Sequence, residues 1–178
     1  NGERGKEIEK PEALTGDAPT VSSYQRFHHV EADLKDTNNP SSSGRLWFNS
    51  VYSFSMDEDF PLPVHNHINN TSVKLTVGVA ATKMYNGCTF SCSFAGSQLG
   101  EISLDAVAEG TYTLKGRRKV RQFEISPGPL NEQPTFNLRF NQNGQDNKGY
   151  LDFLNINYTS RLAWRGCNFV FRSTAISE

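Results

Sequence analysis

The stretch GYLDFLNINY, residues 149–158, contains the strongest fold signal in this chain of 178 residues. Its alternating apolar and polar residues, several of them aromatic, are typical of a β-strand. The apolar positions change sides within the stretch, because Leu151 and Phe153 share one face whereas Leu154 and Ile156 share the other. We predict a β-bulge near Phe153 and Leu154, with burial of both strand faces as the alternative.

Strand patterns also occupy most of the chain before this stretch. The clearest alternation runs from Val73 to Ala81, and residues 88–94 alternate in the same way after an Asn-Gly turn signal, so these two strands form either a hairpin or neighbouring core strands. Within the strand predicted over 46–56, Phe48 and Tyr52 are expected to share one face. The remaining predictions are strands over 24–31, 102–108, 111–114, 120–125, 136–140 and 164–172, an irregular segment over 57–70 and a turn over 95–100.

The number and spacing of these strands determine the predicted fold class. About nine strands, separated by turn signals and accompanied by no helix longer than a turn, predict an all-β antiparallel β-sandwich of jelly-roll type. A parallel sheet would need crossover helices, which the sequence does not supply. We predict a flexible leader or linker over residues 1–22 and a single sandwich domain over residues 23–175.

The charge balance and the hydropathy restrict the class of protein. Lysine and arginine number 18 and acidic residues 19, which argues against a nucleic-acid binder that relies on a global positive field. No apolar run approaches the roughly 20 residues of a membrane helix. The first residues are charged and no apolar stretch follows them, so no signal peptide is expected, although a mature secreted segment would look the same.

The three cysteines do not form the pattern of a disulfide scaffold. Cys88 and Cys92 lie four residues apart in a predicted strand, roughly 13 Å between Cα atoms, whereas a disulfide needs less than about 7 Å. Cys167 is free to pair with either of them, but we favour three buried thiols. Pairing of Cys167 with His28 or His29 would resemble a catalytic thiolate–imidazole pair, yet Cys167 alternates with phenylalanines and is expected in the core.

Two polar clusters are candidates for metal binding. His65 and His67 would lie on one face of a strand, as zinc ligands do, but no spacing supplies a third ligand. Asp57, Glu58 and Asp59 are the candidate ligands of a structural calcium ion. For both clusters we favour the alternative, a solvated acidic loop followed by turn histidines.

The densest charge run is KGRRKVR, residues 115–121. One interpretation is contact with an anionic lipopolysaccharide or a nucleic acid. We favour a solvated hairpin, since no aromatic residue is interleaved with the charges and overall charge is near zero. A basic hairpin would also protect an exposed sheet edge from pairing.

Three segments taken together resemble a known family. The first comprises residues 24–33 and the motif SGRLWF of residues 43–48, the second comprises the strands of residues 73–81 and 90–94, and the third is the GYLDFLNINY stretch with the following RL and FVFR steps. In order and spacing they resemble the type IX secretion sortases, the C-terminal signal peptidases of the gingipain-type cysteine peptidase family. The chain departs from that pattern at Asn49 and Ser50, where the family tends to have Gly-Glu, and at Tyr150, where Trp is common.

The resemblance implies a non-catalytic segment, with the Cys-His pair in a later domain. Such a domain would act as a scaffold or in docking or substrate positioning next to the peptidase domain of a parent endopeptidase. Family properties imply export to the outer membrane or cell surface. They imply secreted cargo proteins, other secretion components or surface lipopolysaccharide as further partners. The charge balance predicts no nucleic-acid partner, and no cofactor is expected beyond a possible structural calcium.

The candidate binding residues are Arg45, Trp47 and Trp164. Arg45 and Trp47 belong to the SGRLWF motif, and both tryptophans have the flat aromatic faces that stack on sugar rings. For the tryptophans we favour core or interdomain packing. A free-standing carbohydrate-binding jelly roll is the alternative function. No catalytic residue is predicted.

Overall fold

The computed structural model describes residues 30–31, 47–49, 51–53, 57–83, 85–110, 116–143 and 146–161. Over these ranges the chain forms nine β-strands and no helix, which confirms the predicted all-β class. It follows that no helix in these ranges is long and apolar enough to span a membrane. The strands are β1 (Val30–Glu31), β2 (Val51–Tyr52), β3 (Asp57–Pro61), β4 (Val73–Thr82), β5 (Cys88–Phe94), β6 (Ser97–Leu104), β7 (Gly116–Ile125), β8 (Thr135–Asn141) and β9 (Lys148–Tyr158).

The strands form two antiparallel sheets. The five-stranded sheet has the order β1-β9-β4-β7, and β2 pairs with the same side of β9 as β1, nearer the start of that strand. The four-stranded sheet has the order β3-β8-β5-β6. Strand β9 therefore pairs with strands that are distant in sequence. The sheet orders β2-β9-β4-β7 and β3-β8-β5-β6 are those of the two facing sheets of a jelly roll. The predicted jelly-roll sandwich is confirmed.

The core lies between the two sheets and follows the predicted alternation of β4 and β5. The inward residues of β4 are fully buried: Val73, Leu75, Val77, Val79 and Ala81. In β5 the alternate residues are buried in the same way: Cys88, Phe90, Cys92 and Phe94. Of the two alternatives predicted for β4 and β5, the hairpin is wrong, because they belong to opposite sheets and the Asn-Gly turn connects the two layers. Both strands do contribute to the same core.

Strand β9 contains the predicted bulge. Gly78 of β4 pairs with Phe153, but its neighbour Val79 pairs with Leu151, so Asp152 is the extra residue. The extra residue returns Leu154 to the core face that Leu151 occupies, and both are fully buried. The change of apolar phase in the sequence is thus explained by one inserted residue.

The strand predicted over 46–56 is mostly absent from its described part, where regular pairing covers only β2. The chain bends at Asn49, whose backbone N–H donates to the Leu151 carbonyl at 3.0 Å. Phe48 consequently packs outside the main core with Ala80, whereas Tyr52 lies in the core. The prediction that Phe48 and Tyr52 share one face is therefore wrong, since it assumed uninterrupted alternation.

Two further segments differ from the predictions. The interval 57–70 was expected to be irregular, yet Asp57–Pro61 is the edge strand β3, and Pro61 occupies its last position, where a missing N–H is tolerated. The turn predicted over 95–100 is only two residues long: Ala95 and Gly96 have φ of 49° and 79°, the signature of a type I′ hairpin. The domain boundaries predicted at residues 22 and 175 lie outside the described ranges.

Candidate binding surfaces

Trp47 is the described member of the three predicted binding residues, and its side chain is 46% exposed. Exposure of this size leaves an indole face available to a ligand or to another domain. Arg45 and Trp164 lie outside the described residues, so the structure does not show whether the three side chains meet.

Next to Trp47 in sequence, a small apolar cluster lies on part of the outer face of the five-stranded sheet. This cluster, the outer aromatic patch, consists of Phe48, Val51, Ala80 and Tyr150. Strand register places Val51 and Ala80 on either side of Tyr150, and the rings of Phe48 and Tyr150 are 5.6 Å apart between centroids. Because Phe48 and Tyr150 are buried while Val51 is exposed, the patch is a packed support whose accessible parts are Val51 and the adjacent Trp47.

The bulge adds a charged feature to the same sheet face. The Phe153 ring lies directly on Gly78, where a Cβ atom would come within 2.5 Å of it. The Arg118 guanidinium is 5.7 Å from the centroid of that ring and pairs with the Asp152 carboxylate at 2.5 Å. The missing side chain at position 78 thus makes room for an aromatic ring that an ion pair holds in place.

The acidic triplet considered as a candidate calcium site is divided between two faces of β3. Asp57 and Asp59 point outward, and both accept hydrogen bonds from the Asn137 amide, at 2.9 and 2.8 Å. Glu58 points the other way and accepts a hydrogen bond from the Tyr52 hydroxyl at 2.7 Å. The described residues contain no group of three His, Cys, Asp or Glu side chains placed to hold a metal ion, and strand alternation explains why Glu58 does not join Asp57 and Asp59.

The described cysteines have the environment of buried apolar residues. Burial raises the pKa of the Cys88 thiol to about 11. For Cys92 the pKa rises to about 12, because desolvation outweighs the lowering effect of the nearby Arg121 charge. Both thiols are free, as predicted, and such thiols are poor nucleophiles at neutral pH. Cys167, His28 and His29 lie outside the described residues.

The two described histidines do not follow strand alternation, because Asn66 between them has a φ of 53°. The backbone N–H of His65 donates to the Tyr158 hydroxyl at 2.9 Å. The His67 ring packs edge-on against the Tyr158 ring, with centroids 6.2 Å apart. Burial lowers the pKa of His67, outweighing a hydrogen bond with Thr71 that raises it. The backbone of His67 also forms an isolated antiparallel β-bridge with Ser160. This pairing indicates that His67 has a structural role in joining the segment after β3 to the segment after β9.

A polar cleft that sequence reasoning did not predict lies at one end of the sandwich, with a volume of about 540 Å³. Its walls include Asn86 and Asn143, whose side-chain amides each donate to the other's backbone carbonyl, at 3.4 and 3.2 Å. The adjoining Asn147 is 4% exposed and donates to the Gly87 carbonyl at 3.5 Å. In the sequence, Asn86 is recognisable only as part of the Asn-Gly turn signal, which does not indicate that it lies beside Asn143.

The basic run was expected to form a hairpin, and that prediction is wrong for its described part. Residues 116–121 belong to β7, the edge strand of the five-stranded sheet. Their side chains from Arg117 to Arg121 are exposed. The expected protection of a sheet edge does apply, because charged side chains on an edge strand disfavour pairing with other chains.

Comparison with known proteins shows a likeness at the level of fold. No protein-family model and no curated protein matches the sequence. The crystal structure of dimeric latent PorU from Porphyromonas gingivalis matches with a TM-score of 0.68 and 15% identity, covering 87% of this chain and 14% of that one. The present chain therefore has the fold of a β-sandwich portion of PorU and corresponds to about a seventh of its length.

Two carbohydrate-binding modules also match, more distantly. Module CBM36, in complex with calcium and xylotriose, has a TM-score of 0.41 and 14% identity over 72% of this chain and 98% of that one. Module CBM6cm-2 from Cellvibrio mixtus lichenase 5A, in complex with cellotriose, has a TM-score of 0.38 and 16% identity over 77% and 96%. Likeness at this level carries no argument about ligands.

Proposed function

We propose that this chain is a non-catalytic β-sandwich domain of a cell-surface cysteine peptidase similar to PorU, and that it supports or docks the peptidase domain of the same polypeptide. The observation that carries the proposal is the fold likeness, which extends over 87% of this chain but only 14% of the PorU chain. The three sequence segments that resemble the type IX sortase family support the same assignment. Under this proposal the protein is exported and acts at the outer membrane.

The chemistry of the described residues supports a non-catalytic role. Cys88 and Cys92 are buried and have raised pKa values. No hydrogen bond in the described ranges joins either thiol to a histidine. A nucleophilic cysteine needs access to substrate and a base to remove its proton. The peptidase activity of the parent protein would therefore come from another domain.

Trp47 is the residue that we propose for contact with the peptidase domain. It is exposed, and it directly precedes Phe48, which is buried against the Tyr150 ring. Exposed aromatic side chains on a rigid base are typical anchors of interfaces. The surface around Trp47 would then be buried in the complete protein.

The first test is the reading frame that encodes this chain. We expect a Cys-His peptidase domain downstream of residue 178. In the full-length protein, Trp47→Ala should speed proteolytic separation of the two domains. Tyr85→Ala, which removes an aromatic side chain of similar exposure (48%), is the matched control and should have no such effect. Absence of a peptidase domain would refute the proposal, and equal effects of the two substitutions would refute the docking role of Trp47.

A second candidate function, carbohydrate binding, is favoured by the amide-lined cleft. Asparagine amides such as those of Asn86 and Asn143 offer the paired donors and acceptors that sugar hydroxyls need. A glycan array with the isolated chain tests this function, with Asn143→Ala as the cleft variant and Trp47→Ala as the variant of the other surface. Loss of a glycan signal in the cleft variant alone would support the second function. An array on which no glycan binds would exclude the carbohydrate-binding function.

A further inference from the structure

Three basic side chains of β7 form a row that faces the gap between the two sheets. Arg117, Lys119 and Arg121 are alternate residues and so share one strand face. Their partners on β4 are all fully buried core residues, which shows that this face is the inner one: Ala81, Val79 and Val77. At the sheet edge, however, these three side chains are exposed. We call them the basic row.

Each member of the basic row reaches across to the other sheet. Lys119 Nζ donates to the Ser103 carbonyl at 2.9 Å, and Arg117 Nε donates to the Ala106 carbonyl at 3.4 Å. Arg121 donates to the Glu101 carbonyl through a guanidinium nitrogen. The acceptors belong to β6, the edge strand of the four-stranded sheet, and to the residues just after it. The row therefore closes one open side of the sandwich and is held in a fixed position.

The charges of the basic row have no carboxylate partner within the described ranges. The ion pairs found there join Lys74 to Glu124, Arg118 to Asp152 and Arg139 to Asp57. Carbonyl groups are neutral and satisfy only one donor of each basic group, while a guanidinium has five N–H groups and an ammonium three. Three positively charged side chains, carried by Cα atoms roughly 7 Å apart along β7, thus remain available along the seam.

We propose that the basic row binds a linear acidic polysaccharide, whose carboxylate, sulfate or phosphate groups lie along the seam between β6 and β7. A groove of about 350 Å³ borders Arg117 and Lys119 of the row and has hydroxyl, carboxylate and backbone groups on its walls, including Ser103, Asp105 and Gly116. A chain of sugars matches this groove because its acidic groups pair with the fixed charges and its hydroxyls bond to the groove walls. This site is separate from the Trp47 surface and does not depend on the proposed function.

Two other classes of partner fit the row less well. A sequence-tolerant binder of single-stranded nucleic acid stacks bases on aromatic side chains, and the row contains none. A protein partner would need a central apolar anchor, but Val120, the exposed apolar residue of this segment, lies on the opposite strand face. The seam therefore provides charged and hydrogen-bonding groups but no aromatic platform or apolar anchor.

The test measures binding of the purified chain to heparin and to polygalacturonate at low salt, with neutral dextran and oligothymidylate as comparison ligands. The row variant carries Arg117→Gln, Lys119→Gln and Arg121→Gln. The control variant removes the same number of charges elsewhere through Lys74→Gln, Arg139→Gln and Lys148→Gln. We expect the row variant to bind about tenfold more weakly or worse, since three ion pairs are lost, and the control variant to bind like the wild type.

Several outcomes would overturn the proposal: no binding of either acidic polysaccharide, equal weakening in both variants, or stronger binding of oligothymidylate. Because the row also bridges the sheets, thermal unfolding of each variant is recorded beside the binding. If the row variant does not fold, the charge-retaining pair Arg117→Lys and Arg121→Lys replaces it. That pair should keep most of the affinity, whereas Lys119→Gln alone should lower it, and the reverse order would overturn the proposal.

Discussion

Substitution of Gly149 by alanine should destabilise the sandwich, because no space exists for the added methyl group. Gly149 lies in β9 with its open side toward the core, and a Cβ atom there would come within 2.8 Å of both Phe140 and Phe90. Ordinary contacts begin near 3.4 Å, so each ring would have to retreat by about 0.6 Å. Neither ring has room to do so, since their centroids are 4.9 Å apart and both are buried.

The expected cost follows from the energetics of overpacked cores. An extra methyl group in a well-packed interior costs about 1–3 kcal/mol. For a domain of this size each kcal/mol lowers Tm by about 2–4 °C, so the melting temperature should fall by about 2–12 °C. Gly128→Ala is the matched control, because nothing lies within 4 Å of a Cβ atom there. That substitution should leave the stability unchanged or raise it by up to about 1 kcal/mol.

Urea and thermal unfolding followed by circular dichroism would measure both substitutions. Combination with Phe140→Leu gives a sharper test, since a smaller side chain opposite position 149 should reduce the cost of the methyl group by about 0.5 kcal/mol or more. The reasoning is refuted if Gly149→Ala is as stable as Gly128→Ala. It is equally refuted if the cost of the methyl group stays the same in the Phe140→Leu background.

Two further predictions concern titratable groups. Burial holds the pKa of His67 below its ordinary 6.5, so the unfolded state binds more protons than the folded state as the pH falls through 6.5. The contribution of His67 to stability should therefore be full above pH 6.5 and decline below it. The urea midpoint should fall less on acidification in His67→Gln than in the wild type, and an identical fall would contradict the role of His67. In the folded protein at neutral pH, peptide mapping after iodoacetamide treatment should show Cys88 and Cys92 unmodified. Both should react after denaturation in guanidinium chloride. Rapid modification of the folded chain would contradict their burial.

The parts of the fold that could be predicted are those in which local pattern and tertiary position agree. Residues of β4 and β5 alternate without interruption between core and outer face, so period-two reasoning identified both strands. The bulge in β9 was also predictable, because an inserted residue reverses the apolar phase in a way that the sequence displays directly. These strands are central in their sheets, and burial there imposes the clearest patterns.

The wrong predictions come from edges and bends, where the pattern is weak. Strand β3 is rich in acidic residues and ends in Pro61, so it resembles a loop, and only its pairing with β8 makes it a strand. Phe48 was assigned to the face of Tyr52 because a bend at Asn49 leaves no trace in the hydropathy pattern. An edge strand such as β3 buries one side at most, and its hydrogen-bond partner β8 is distant in sequence.

Prediction of the candidate sites was limited in the same way. For Trp47, core or interdomain packing was favoured, and its exposure of 46% excludes the core. The amide-lined cleft and the basic row, in contrast, depend on which loops and edges the jelly-roll order brings together. Nothing local in the sequence indicates that Lys119 on β7 approaches the Ser103 carbonyl on β6.

The position of β9 also affects how the chain can be synthesised. This strand supplies hydrogen-bond partners to β1, β2 and β4, so the five-stranded layer cannot be completed until residue 158 has left the ribosome. Until then one edge of β4 lacks its hydrogen-bond partner and is open to misassociation. A nascent polypeptide of this topology must therefore remain incompletely ordered through most of its translation, and shortening β9 from its end should expose earlier segments to aggregation rather than merely trim the domain.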